Sequence, residues 1–222
     1  IASAEISDWF RDALGILFQE ISTVQNIPRL ESEAIDTLPQ LASINFIIAE
    51  NNDQIPYGDN EKYSIAMNDG LYTIDITAPS SFGALRAMQT LAQLVRRGHG
   101  FNYIPNFPIT IEDKPKFPHR GLLLDTAREY YHVSTIKNIV RFLGANKLNV
   151  LHWHITDDHA FSIECKKYPG LAKGSTFGGP HYTQEEVKEI VHLAARYGVR
   201  IIPEIGGPAH AGKLRSRILL YL

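Results

Sequence analysis

The 222-residue sequence holds a single cysteine, Cys165. One thiol can form no intrachain disulfide, and it excludes a zinc site built from several thiolates. No Asn-x-Ser/Thr triplet occurs, so acceptors for N-linked glycans are missing as well. No apolar run reaches the roughly 20 residues that a membrane-spanning helix needs. Charge of one sign is also lacking. Twenty-two Lys and Arg stand against 24 Asp and Glu, a net charge of −2. Nucleic acid is therefore not an expected partner. Glu5, Asp8, Arg11 and Asp12 interrupt the opening segment, which does not read as a signal peptide.

What remains is a composition of 44% hydrophobic and 21% charged residues, ordinary for one or two globular domains. Residues 3–24 carry Ile6, Phe10, Ala13, Leu14, Leu17 and Ile21 at helical spacing, and Pro28 ends that pattern. Residues 42–49 read as a strand. Two further strands, 63–67 and 72–77, flank Asn68-Asp69-Gly70, a strong hairpin signal. A helix follows from Ser80 or Ser81 to about Arg97, stopped by Gly98 and Gly100. This predicts a small α+β domain over residues 1–114. The stretch 105–118, with Pro105, Pro108, Pro115 and Pro118, reads as a linker.

From Arg120 the rhythm changes to alternating strand and helix. Strands are expected at 121–126, 149–156 and 199–205, the last buried on both faces. Helices are expected from a Ser134 cap to about Lys147, and from a Thr183-Gln-Glu-Glu186 capping box to Tyr197, with Gly198 as the stop. Such alternation implies parallel strands, and the chemistry-bearing residues fall at strand ends. In (β/α)8 barrels that is the catalytic face. Residues 115–222 supply about three of eight strands, so the expected class is α/β, a small α+β domain followed by an incomplete (β/α)8 TIM barrel. Lys213–Leu222 shows no fourth unit.

Three strand ends draw attention. Arg128 follows Leu-Leu-Leu-Asp-Thr-Ala, where its guanidinium could grip adjacent hydroxyls or a carboxylate, or form a plain surface ion pair. His152 and His154 are two apart on a strand and share a face. They could be a metal pair completed by Asp157, Asp158 and His159, a scaffold that positions one carboxylate, or satisfied core residues. Asp157 and Asp158 are adjacent and point differently, so one of them is expected to face the site. Glu204 ends the third strand. His210 lies beyond it and could pair with Asp157, which would fix the imidazole tautomer. Trp153 is read as packing on the opposite face, and Cys165 as incidental.

Three segments together resemble glycoside hydrolase family 20, the β-N-acetylhexosaminidases. They are Arg120-Gly-Leu-Leu-Leu-Asp-Thr-Ala-Arg128, Lys147-Leu-Asn-Val-Leu-His-Trp-His-Ile-Thr-Asp-Asp158, and Gly198-Val-Arg-Ile-Ile-Pro-Glu204 with Pro208-Ala-His210. The Gly83–Val95 helix and the Phe117-Pro-His-Arg120 entry look like the family's N-terminal domain and its junction. The resemblance implies a retaining mechanism in which the substrate's own 2-acetamido oxygen attacks the anomeric carbon. It implies Arg128 as a ligand of terminal N-acetylhexosamine hydroxyls, and Asp157 with His210 as a charge-coupled pair supporting the acid/base. His154, Asp158 and Glu204 are secondary site candidates. No cofactor and no metal is implied.

The resemblance places the acid/base Glu, with its Asp neighbour, after a fourth strand, and neither is found here. Gly206 stands where the family usually has Asp, and Ala209 where Gly is common. The chain therefore reads as part of a family member. A non-catalytic sugar-binding or interaction role, and a metal-dependent hydrolase using His152 and His154, are the alternatives. The implied partner is an oligosaccharide or glycoconjugate substrate, with no membrane span, and the resemblance admits a homodimer. It suggests a lysosomal or extracellular location, against which the single cysteine and missing glycosylation triplets weigh.

Overall fold

In the computed structural model, residues 7–23, 39–50, 60–98, 101–105, 107–173, 179–207 and 209–212 are described. Expectations for the ends of the first helix, Pro28, Gly100 and 213–222 lie outside them. The chain divides into two compact units, Ile1–Pro118 and His119–Leu222.

The first unit contains α1 (Asp8–Ser22), β1 (Ser43–Glu50), β2 (Tyr63–Asn68), β3 (Thr73–Ser80), α2 (Ser81–Leu94), β4 (Arg96–Gly98), β5 (Phe101–Tyr103) and β6 (Thr110–Asp113). The larger sheet has the order β1-β3-β2-β6, with β1 parallel to β3 and the other pairs antiparallel. Alternation along β2 and β3 puts Tyr63, Ile65, Met67, Ile74, Ile76 and Ala78 on one face. That face packs against Phe10, Ala13, Leu14 and Leu17 of α1 and Leu85, Met88 and Leu91 of α2. Each fully buried side chain of this size contributes about 1.5–3 kcal/mol. Ser80 caps α2, accepting from the Gly83 N–H at 3.2 Å.

Two expectations change here. The helix predicted to reach Arg97 ends at Leu94, because Arg96–Gly98 pairs with Phe101–Tyr103 as a short antiparallel ribbon. The proline-rich stretch is more than a linker. Thr110–Asp113 pairs with β2 as a fourth strand, and its prolines lie outside the paired residues. Proline is tolerated at strand ends because no ladder N–H is lost there.

The second unit contains β7 (Gly121–Asp125), α3 (Val133–Ala145), β8 (Val150–Thr156), α4 (Gly170–Lys173), α5 (Gln184–Arg196) and β9 (Arg200–Ile205). The strands form a parallel sheet in the order β7-β8-β9. This is the strand–helix order of a (β/α)8 barrel over three strands. The Thr183–Glu186 capping box forms as expected, and Gly198, at φ 66°, follows the helix end. Ser134 does not cap α3. The Thr135 and Ile136 amides already donate to His132 O, so the cap is His132, two residues earlier. β9 is not buried on both faces. Pro203, Glu204 and Ile205 are exposed, and among the described residues no strand pairs with its outer edge.

Candidate active site

The parallel strands open their C-terminal ends on one side. In register, Asp125, His154 and Glu204 occupy a single row across β7, β8 and β9. Residues paired across neighbouring strands share a face, so the three side chains emerge together. An open concavity of about 510 Å³ lies over these ends, with Asp125, Arg128, His154, Asp157, Glu204 and His210 in its lining.

Asp125 organises the first strand end. Its Oδ1 accepts from the backbone N–H of Ala127 at 2.9 Å and of Arg128 at 3.2 Å. Aspartate favours such turns because its short side chain reaches the backbone amides just ahead of it. The turn carries Arg128 back over the strand end. Arg128 Nη1 donates to Asp125 Oδ2 at 2.5 Å, and Nη2 lies 2.7 Å from Asp157 Oδ2. His154 lies between the same two carboxylates. Its Nδ1 is 3.3 Å from Asp125 Oδ1 and its Nε2 3.4 Å from Asp157 Oδ2. Asp125, Arg128, Asp157 and His154 thus form a ring of alternating acidic and basic groups.

With His154, Asp157 is one of two buried members of the ring, only 5% exposed. Its Oδ1 accepts from the Asp158 N–H at 2.5 Å, and His210 Nδ1 stands 3.5 Å from the same oxygen. Asp158 turns outward, and its Oδ1 accepts from the Gly212 N–H at 2.6 Å. The loop after β9 comes close at Gly206, where a Cβ would meet the His210 carbonyl oxygen at 3.2 Å. Gly206 N–H also donates to Thr156 Oγ1 at 3.0 Å. Lower on the same face, His152 Nε2 is 2.6 Å from Glu204 Oε2.

Charge is held firmly in this ring. Burial pushes Asp157 up, but the Asp158 amide, Arg128, His210 and His154 together hold it below the usual aspartate range. Burial likewise opposes ionisation of Asp125. The Arg128 side chain and the Arg128 and Ala127 amides outweigh it, so Asp125 is also lowered. Both carboxylates are anions at neutral pH. A cation site is less well served. Among the described residues one group of three ligand atoms gathers, from Asp157, Asp158 and His210. The Arg128 guanidinium already occupies Asp157 from the other side and would repel a metal ion. His152 and His154 belong to no such group, and each faces a carboxylate, which does not support the metal-hydrolase alternative.

Residues 117–218 match the catalytic domain of glycosyl hydrolase family 20, and residues 3–94 match a beta-acetyl hexosaminidase-like domain. The chain belongs to glycosyl hydrolase family 20. It is 34% identical to beta-hexosaminidase 3 of Arabidopsis thaliana over 218 residues, 91% of this chain and 40% of that protein. It is 37% identical to the beta-hexosaminidase subunit alpha of Bos taurus over 167 residues, 74% of this chain and 31% of that protein. Among solved structures, a GH20 exo beta-N-acetylglucosaminidase of Vibrio harveyi in complex with N-acetylglucosamine superposes with a TM-score of 0.73. Its identity is 27%, over 99% of this chain and 34% of that one. The chain spans about a third of the length of these family-20 relatives.

Arg128, His154, Asp157, Glu204 and His210, expected from the sequence, line one concavity of this family-20 unit. Asp158 sits at its rim, held by Gly212. His159 lies beside it, exposed in the turn closed by the Asp157 N–H to Ala160 O bond. Asp125 was not singled out. Its signal was available: an Asp at a strand end, three residues before an Arg. Tyr182 was also missed. Nothing in its local sequence announces a role, because its partners are 51 residues away.

Proposed function

We propose that this chain forms part of a β-N-acetylhexosaminidase that removes terminal β-linked N-acetylglucosamine or N-acetylgalactosamine with retention of configuration. One observation carries the reading. Arg128, Asp157 and His210, from three successive strand ends, meet at a single mouth. Arg128 offers its outward N–H groups to sugar hydroxyls, and its Asp125 and Asp157 partners hold the guanidinium plane in place. Asp157 keeps its charge beside His210 and orients that imidazole toward the leaving-group side. His210 then stabilises charge on the acid/base carboxyl during proton transfer. Glu204 and His154 hold this face together through His152, Asp125 and Asp157, and Asp158 shapes the rim.

The substrate in this reading is an oligosaccharide or glycoconjugate with a terminal N-acetylhexosamine. Self-association as a homodimer is part of the same reading and is read out by sedimentation. Joined to a complete family-20 barrel, these residues are expected to turn over 4-nitrophenyl N-acetyl-β-D-glucosaminide, with the β-anomer released first in the NMR spectrum. Release of the α-anomer, or no turnover, rejects the reading. Sugar binding without turnover by this polypeptide alone is the second reading. It is favoured because the dipeptide Asp-Glu occurs nowhere in the 222 residues.

A further inference from the structure

The segment 126–132 joins β7 to α3 and carries Arg128, yet it has no regular structure of its own. A buried network holds it at both ends. At the first end, Thr126 N–H donates to His154 O at 2.9 Å. Thr126 Oγ1 accepts from Trp153 Nε1 at 2.9 Å, and Thr126 O accepts from Ser162 Oγ at 3.0 Å. At the second end, the Tyr182 hydroxyl donates to Tyr131 O at 2.7 Å and accepts from the Tyr131 N–H at 3.3 Å. The Tyr182 ring stacks on Tyr130, with centroids 4.9 Å apart, and meets the Trp153 ring edge-on at 5.0 Å. Trp153 links the two ends, its indole N–H on the Thr126 hydroxyl and its ring against Tyr182.

Trp153 and Tyr182 are both fully buried. Trp153 alternates with His152 and His154 along β8, so it points away from the mouth. It still bears on the site, because the Arg128 segment is fastened on that side. Tyr182 itself is fixed by backbone bonds, its N–H to Ser162 O at 2.9 Å and its carbonyl to the Glu164 N–H at 2.8 Å. Burial raises the hydroxyl above the ordinary tyrosine range, so it stays a donor at every working pH.

We propose that Tyr182 is a positioning residue for Arg128: its buried hydroxyl clasps both the N–H and the carbonyl of Tyr131 and fixes the segment that aims the guanidinium into the mouth. The functional part rests on the reading of Arg128 as a sugar ligand. A displacement of about 1 Å in such a group can matter greatly for a reaction, because oriented contacts supply much of the rate.

The test uses the whole 222-residue chain, labelled with ¹⁵N, and Tyr182→Phe, which keeps the ring and its stacking but removes the hydroxyl. Amide hydrogen exchange is the first readout. The Ala127, Arg128 and Tyr131 amides are expected to exchange about tenfold faster, while α3 and α5 keep wild-type protection. The Ala127 and Arg128 amides donate to Asp125 Oδ1 and not to the hydroxyl, so they report positioning rather than a lost bond. The Arg128 Nε–H resonance, titrated with N-acetylglucosamine, is the second readout, and its apparent Kd is expected to rise about tenfold in the variant.

Unchanged exchange at Ala127 and Arg128 overturns the proposal. So does an equal loss of protection through α3 and α5, which marks a general loss of stability. A wild-type Arg128 resonance indifferent to the sugar overturns the substrate reading of Arg128, while the exchange result still decides the clasp. Should Tyr182→Phe fail to fold, Thr126→Val removes the hydroxyl at the other end and must loosen the same amides. Wild-type exchange there also overturns the proposal.

Discussion

Arg128 Nη2 lies 2.7 Å from Asp157 Oδ2, tying the segment after β7 to the end of β8. The pair is asymmetric. The Asp157 side chain is 3% exposed and that of Arg128 48% exposed. The carboxylate is fixed by its surroundings, and the guanidinium bridges that fixed point and the solvent-filled mouth. A residue so placed can anchor on one edge and present its other edge to a ligand.

Arg128→Lys should therefore damage sugar recognition while leaving the fold intact. An ammonium is a point charge and cannot bridge Asp125 and Asp157 while also offering a planar edge. In a complete barrel carrying these residues, kcat/KM is expected to fall on the order of tenfold to a hundredfold. Wild-type kcat/KM in the variant would remove Arg128 from the site.

Asp157→Asn tests the second half of the pair. The amide keeps the shape of the carboxyl but loses the charge that faces Arg128, His154 and His210. Its proposed role is electrostatic and greatest when charge develops, so kcat should drop more than KM rises. A pure KM effect would assign Asp157 to ground-state binding instead.

The 222-residue polypeptide assayed by itself is expected to show no enzyme-like turnover of a chromogenic N-acetylglucosaminide. Positioned proton transfer contributes about 10²–10⁴-fold, and the Asp-Glu pair that the family resemblance assigns to this step is not in the sequence. Turnover that disappears in Asp157→Ala would contradict this.

The lowered Asp125 and Asp157 predict a pH dependence for the second unit. A carboxyl whose folded pKa lies below its unfolded value stabilises the fold above the unfolded pKa, and that stability is lost as pH falls through the folded pKa. The loss should begin near the ordinary aspartate value of 3.8 and continue below it. The two tryptophans fall one in each unit, so in a Trp9→Phe background Trp153 fluorescence reports the second unit alone. Its melting temperature should fall with pH in that window, and the fall should be shallower in Asp157→Asn. A pH-independent midpoint there would refute the assignment.

Gly144→Ala separates helix propensity from packing. Alanine favours a helix interior by about 0.8–1 kcal/mol over glycine. Here the new Cβ would stand 2.7 Å from Tyr197 Cδ1 and 2.8 Å from Tyr197 Cβ. Overpacking of this kind costs about 1–3 kcal/mol, so net destabilisation in urea unfolding is expected. A stabilised variant would mean that Tyr197 yields without strain.

The sequence by itself determined the local chemistry. Helical spacing located α1, the Asn68-Asp69-Gly70 turn located the β2–β3 hairpin, and the Thr183–Glu186 box located the start of α5. Strand ends followed by polar clusters marked Arg128, His154, Asp157, Glu204 and His210, because alternation and strand–helix order are short-range patterns. Other features required long-range pairing. The fourth strand hidden in the proline-rich stretch exists only because β2 offers it an edge. The exposure of β9 follows from which strands lie beside it, information its own apolar sequence does not contain. The ring of Asp125, Arg128, Asp157 and His154 depends on register, which places Asp125 opposite His154. Tyr182 lies in an unremarkable loop, and only tertiary structure brings its hydroxyl to a peptide 51 residues earlier in the chain.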